Sequence, residues 1–84
     1  MDFLLVREGE LIAVEAKSGA AFREDWCKGL RAVARLEWLK RRMVVYPDGP
    51  VMKTHDGIDA LHFHRFAEEL ASGALWKRGG KGGS

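Results

Sequence analysis

Asp2-Phe3-Leu4-Leu5-Val6-Arg7-Glu8-Gly9-Glu10-Leu11-Ile12-Ala13-Val14-Glu15-Ala16-Lys17 is the stretch whose reading decides the fold. Two dense apolar runs flank Glu8-Gly9, a two-residue turn signal, so the stretch predicts a β-hairpin. The turn sets the register: Arg7 faces Glu10, Val6 faces Leu11, Leu4 faces Ala13 and Asp2 faces Glu15. Opposed residues in an antiparallel pair hold their Cβ atoms roughly 4.5 to 5.5 Å apart. Two carboxylates therefore sit side by side, and by alternation Lys17 projects from the same face one step further on. Like charges so placed destabilise a sheet unless something compensates, and a divalent cation is the natural candidate.

The chain is 84 residues long and 46% hydrophobic, enough for one small domain with a modest core. Domains of this size usually need a disulfide, a metal or a partner chain, and the single Cys27 excludes an internal disulfide. A homo-oligomer or a missing remainder is the expectation. Lone-cysteine usage and the lack of a leader at Met1 point to a cytoplasmic protein, and no apolar run approaches membrane-spanning length. The net charge of +2 is too small to establish nucleic-acid binding. Its distribution is more telling: from Arg23 to Arg42 seven basic residues stand against three acidic ones, a local +4 against −2 for the rest.

Phe3 to Arg7 and Leu11 to Val14 read as strands buried on both faces. After Ser18-Gly19, residues Phe22, Trp26, Leu30, Val33 and Ala34 recur at helical spacing, which predicts a helix running to about Lys40. Met43 to Tyr46, stopped by Pro47-Asp48-Gly49-Pro50, predicts a strand reached by a right-handed crossover and parallel to the second hairpin strand, so the sheet is mixed. Ile58 to Phe63 reads as a further strand near the sheet edge. A short helix follows from Phe63 through Phe66, Ala67 and Leu70 to Ser72-Gly73. One domain over residues 1–76 is expected, with a disordered Gly-rich tail over 77–84. The tail glycines have no strand before them and no helix after, so they form no phosphate-cradling loop.

The order of hairpin, carboxylate, Glu15-Ala16-Lys17 at a strand end, crossover helix and parallel strand resembles the core of the PD-(D/E)XK nuclease superfamily. Asp2-Phe3-Leu4-Leu5-Val6, Glu15-Ala16-Lys17-Ser18-Gly19 and Lys28-Gly29-Leu30 are also similar to the nuclease-like domain at the C-terminus of many bacterial and archaeal AAA-type ATPases. The resemblance covers roughly residues 2 to 66 by the order of elements, and each motif alone is short and degenerate. It implies an α/β restriction-endonuclease-like core in which Asp2, Glu15 and the Ala16 carbonyl ligate Mg2+ or Mn2+ and Lys17 assists the attacking water. It implies nucleic acid, chiefly DNA, as substrate, and a parent or partner ATPase. Full-length members carry an upstream strand and helix, often with another acidic residue. This chain begins at the aspartate itself, which places Asp2 in a fraying terminus and leaves three expectations open: weak metal binding, no activity, or the missing element borrowed from a second copy.

Other candidates stand beside this one. Lys28, Arg31, Arg35 and Arg42 share one helical face opposite Trp26, Leu30 and Val33, where they could follow a phosphate backbone, although a solvated face is the commoner meaning of such a stripe. Trp26, Trp38 and Trp76 read as core or interface anchors, and Leu36, Trp38 and Leu39 as cover for an oligomer interface or for a surface that missing residues once covered. His62 and His64 share a strand face with His55 more distant, a spacing too irregular for zinc. Cys27 reads as buried and inert. The sequence thus leads to a metal-dependent nuclease-like domain, with a non-catalytic DNA-binding, protein-binding or self-association module of the same ancestry as the alternative.

Overall fold

Glu8 and Gly9 take φ of 50° and 82°, the left-handed pair of a type I′ turn whose twist matches that of the strands it joins. The computed structural model describes residues 2–19 and 21–77. Around this turn β1 (Phe3–Arg7) pairs antiparallel with β2 (Glu10–Ala16), from Arg7↔Glu10 to Phe3↔Val14. That is the expected register up to its last step. The ladder ends at Phe3, so Asp2 and Glu15 are not a ladder pair.

A 3-10 turn (Glu24–Cys27) and a short helix α1 (Lys28–Ala32) lead to β3 (Leu39–Tyr46), parallel to β2. The helix expected to reach Lys40 is therefore two turns at most. Cys27 and Leu30 already fill the space over Ala13, Val44 and Ile58, and Leu39 has to pair with Leu11. Strand pairing overrides helical spacing here, and Trp38 reverses the chain at φ 71° just before the strand begins.

β4 (Met52–Lys53), which the sequence did not announce, pairs antiparallel with β5 (Asp59–His62), and β5 pairs parallel with β3. The sheet order is β1-β2-β3-β5-β4, so β5 lies near the edge, as expected, with β4 taking the edge itself. The other edge strand, β1, is largely exposed, which corrects its reading as buried on both faces. The result is a small α/β fold with a five-stranded mixed sheet. No helix among the described residues is long and apolar enough to cross a membrane.

Two apolar layers follow from strand alternation. Ile12, Val14, Met43, Val45 and Leu61 point to the side where Phe66, Leu75 and Trp76 pack, and Ala13, Val44 and Ala60 lie on the α1 side. On the first side Arg41, with its side chain 10% exposed, ties β3 to its neighbours. It donates to Asp59 Oδ2 at 3.0 and 3.1 Å, to Glu69 Oε1 at 3.2 Å and to the Leu75 carbonyl at 3.0 Å. A cation so enclosed is stable only because its donors meet two carboxylates and a carbonyl.

The last helix, α2 (Phe63–Ser72), has the expected extent. His62 Nδ1 caps it by accepting the Arg65 N–H at 3.1 Å, and Gly73 ends it at φ 83°. His64 is thus on the helix and not on a strand with His62, although their rings stack with centroids 6.2 Å apart. Lys77 ends the described chain, and the rest of the expected tail lies outside the described residues.

Replacing the cap measures its worth. His62→Ala should lower the unfolding free energy by about 1 kcal/mol in a denaturant titration, and His62→Asp should recover most of that loss.

Candidate functional site

β2 ends in Glu15 and Ala16, and the two sides of its backbone meet different neighbours. The N–H groups of Leu11 and Lys17 donate to the Trp38 and Val45 carbonyls on the β3 side, each at 2.9 Å. Ala16, of the opposite parity, turns its N–H toward β1. There the ladder ends at Phe3 among the described residues, and Ala16 N donates to the Asp2 carboxylate, to Oδ2 at 2.7 Å. Asp2 is anchored from its own main chain as well, its N–H donating to the Val14 carbonyl at 2.9 Å. In extended chain a residue's N–H and C=O point the same way, so the Ala16 carbonyl opens on the same gap as Asp2.

Glu15 follows Ala13 in alternation and therefore lies on the α1 side, where it is 7% exposed. Lys17 lies on the same side, its Nζ 3.1 Å from Glu15 Oε2. The expectation that these two share a face is met. Asp2 is gathered to them through the main chain of Ala16 rather than by facing Glu15 across the ladder.

The wall beside them is aromatic. Phe22, Trp26 and Tyr46 meet edge to face at centroid distances of 5.8 to 6.3 Å. Gly19, two residues beyond Lys17, lies so close to Trp26 that a Cβ there would sit 2.7 Å from the ring. Tyr46 donates its hydroxyl to the Pro50 carbonyl at 2.6 Å, and burial, helped by Asp48, raises its pKa. Trp26 is thus an anchor, as expected; Trp38 is exposed. Gly19 and Tyr46 were missed by the sequence reading, and the glycine directly after Lys17-Ser18 was the available signal.

The basic residues do not form the helical face expected of them. Lys28 opens α1, Arg35 lies in the turns after it, and Arg42 is on β3, because the helix stops before either arginine. Arg31 and Arg42 are engaged with the β4–β5 turn. Arg31 grips Asp56 with two bonds of 2.8 and 3.2 Å and Glu24 with one of 2.6 Å, and Arg42 donates to the Asp56 carbonyl at 2.6 Å. Lys28 and Arg35 are exposed and have no ion-pair partner among the described residues. The basic residues of β3 lie toward the start of that strand, level with Ala13 and earlier, whereas Lys17 adjoins its far end.

Arg31, then Thr54, hold the Asp56 carboxyl well below the usual carboxylate range, and Asp56 and Glu24 push the Arg31 pKa up. Burial raises the Cys27 thiol, in keeping with an inert cysteine. Among the described residues no group of three or more His, Cys, Asp or Glu gathers as a metal cluster. The donors at the end of β2 are two carboxylates and a main-chain carbonyl. Such a hard-oxygen set suits a small divalent ion that keeps several waters, and not zinc.

Comparison with family models, with curated proteins and with solved structures found no match, so the site is read from its own geometry.

Two outcomes follow. In Asp2→Ala the Ala16 amide should exchange with solvent at least several-fold faster than in the native chain, while the amides of β3 keep their protection, as hydrogen-exchange NMR would show. The acid limb should involve Asp56: its folded pKa lies below the unfolded value of about 3.9, so the stability it adds is present above that value and lost as pH falls toward the folded one. The melting temperature of Asp56→Asn should therefore fall less than that of the native chain between about pH 5 and pH 2.

Proposed function

We propose that this chain is a metal-dependent nuclease-like domain of the PD-(D/E)XK type, hydrolysing nucleic-acid phosphodiesters on a restriction-endonuclease-like core. The observation that carries the reading is the Asp2 carboxylate on the Ala16 N–H, which draws an acid from just before β1 to the main chain between Glu15 and Lys17. The antiparallel hairpin, short crossover helix and parallel third strand support it, since they occur in the order the resemblance requires.

Asp2, Glu15 and the Ala16 carbonyl would hold Mg2+ or Mn2+. When bound, such an ion lowers the pKa of its water and neutralises charge developing on the phosphodiester. Lys17 orients the water and places an ammonium beside the growing negative charge, from a position fixed by its contact with Glu15. Phe22, Trp26 and Tyr46 keep solvent from the inner side of the site. Lys28 and Arg35, exposed and unengaged, are the basic residues best placed to touch a DNA backbone, with Arg42 next and Arg31 held by its acids. A parent or partner ATPase belongs to the same proposal.

One observation favours the non-catalytic module instead. The exposed strand β1 carries Phe3, Leu4 and Val6 to the surface, as a binding or self-association element would.

Cleavage of single- and double-stranded DNA with Mg2+ or Mn2+ tests the reading. The native chain should cleave, chelation should stop it, and Lys17→Ala or Glu15→Gln should each lower the rate about 100-fold or more with circular dichroism unchanged. No cleavage by the native chain would leave the module.

A further inference from the structure

The two edges of the sheet are not alike. β4 is only Met52–Lys53, preceded by Pro50 and ending in a lysine, which is how edge strands are ordinarily protected from pairing. β1 is five residues long, has no proline or bulge, and carries no charge before Arg7. Its exposed side chains include Phe3, Leu4 and Val6, the last 68% exposed.

Which backbone groups this edge offers follows from the hairpin. The two-residue turn makes Arg7 and Glu10 a hydrogen-bonded pair, and alternation makes Leu5 with Ile12 and Phe3 with Val14 the next two. The N–H and C=O groups of Leu4 and Val6 therefore point away from β2, at an edge where no strand among the described residues is paired.

We propose that β1 pairs antiparallel with β1 of a second copy about a two-fold axis at Leu5, joining two sheets into one of ten strands. Opposed residues must point to the same side of the joined sheet, so their numbers share parity. Among the registers this allows, the one centred on Leu5 pairs all five residues of the strand, and shifts by one allowed step leave only three paired. It sets Leu4 against the partner's Val6 twice, and these are the residues whose backbone groups face outward, so four main-chain hydrogen bonds form. Arg7 comes across from the partner's Phe3 instead of meeting another cation. The acids Asp2 and Glu8 fall beyond the paired residues.

Three of the nine exposed large hydrophobic residues among the described residues, Phe3, Leu4 and Val6, lie on this one strand. This inference stands whether or not the chain cleaves nucleic acid.

Sedimentation equilibrium from about 1 to 100 μM tests it, together with disulfide trapping. The native chain should reach twice its 9.4 kDa, and Val6→Lys, at an exposed position, should weaken association at least tenfold with its circular dichroism unchanged. An equal mixture of Leu4→Cys and Val6→Cys chains should cross-link on mild oxidation, while neither does so alone. A monomer over the whole range, a dimer indifferent to Val6→Lys, or a Leu4→Cys chain that cross-links with itself would overturn the proposal.

Discussion

Everything at the candidate site depends on the strand β2 having two different neighbours at its last residues. On one side β3 continues past it, and the Lys17 N–H finds the Val45 carbonyl. On the other side the ladder of described residues ends at Phe3, and the Ala16 N–H turns to Asp2. The Asp2 carboxylate accepts it at 2.7 Å in a charge-assisted bond, a stronger kind than the main-chain bonds of the ladder. A structural requirement of the sheet thus delivers an acid to the junction of Glu15 and Lys17.

The same strand explains why Glu15 tolerates burial. It sits on the α1 side with Ala13, at the end of an apolar layer, where Lys17 supplies the opposite charge at 3.1 Å. The loop after Lys17 is pressed onto Trp26 through Gly19, and Tyr46 is pinned by its bond to the Pro50 carbonyl. These contacts restrict where the lysine stem can go. In a chain this small, held by two thin apolar layers and the Arg41 network, such rigidity has few other sources.

Much of this was legible in the sequence, and what was not has identifiable physical causes. The hairpin register was legible because a two-residue turn leaves no freedom in pairing, and α2 because Gly73 marks its end. That Glu15 and Lys17 share a face followed from alternation alone. The length of α1 was not legible: no glycine or proline stops the spacing after Ala32, and the helix ends because Leu39 is needed opposite Leu11. The exposure of β1 was hidden because an apolar run looks the same at an edge as in a sheet centre. β4, with two residues, carries no periodicity. The basic set was misplaced for the same reason as the helix, and the engagement of Arg31 with Asp56 joins residues 25 apart in sequence, beyond any local pattern. The bond from Ala16 to Asp2 was invisible because it depends on where a ladder stops.

The claim most in need of test is that the end of β2, with Asp2 folded onto it, is a binding site for a hard divalent cation. Titration of the isotope-labelled chain with Mn2+ under NMR observation is the most direct measurement, because paramagnetic broadening falls steeply with distance from the ion. The account predicts that the amides of Asp2, Glu15, Ala16 and Lys17 broaden first, at sub-stoichiometric ion, and that Glu15→Gln removes the effect. Broadening spread evenly over the acidic surface, or centred elsewhere, would contradict it.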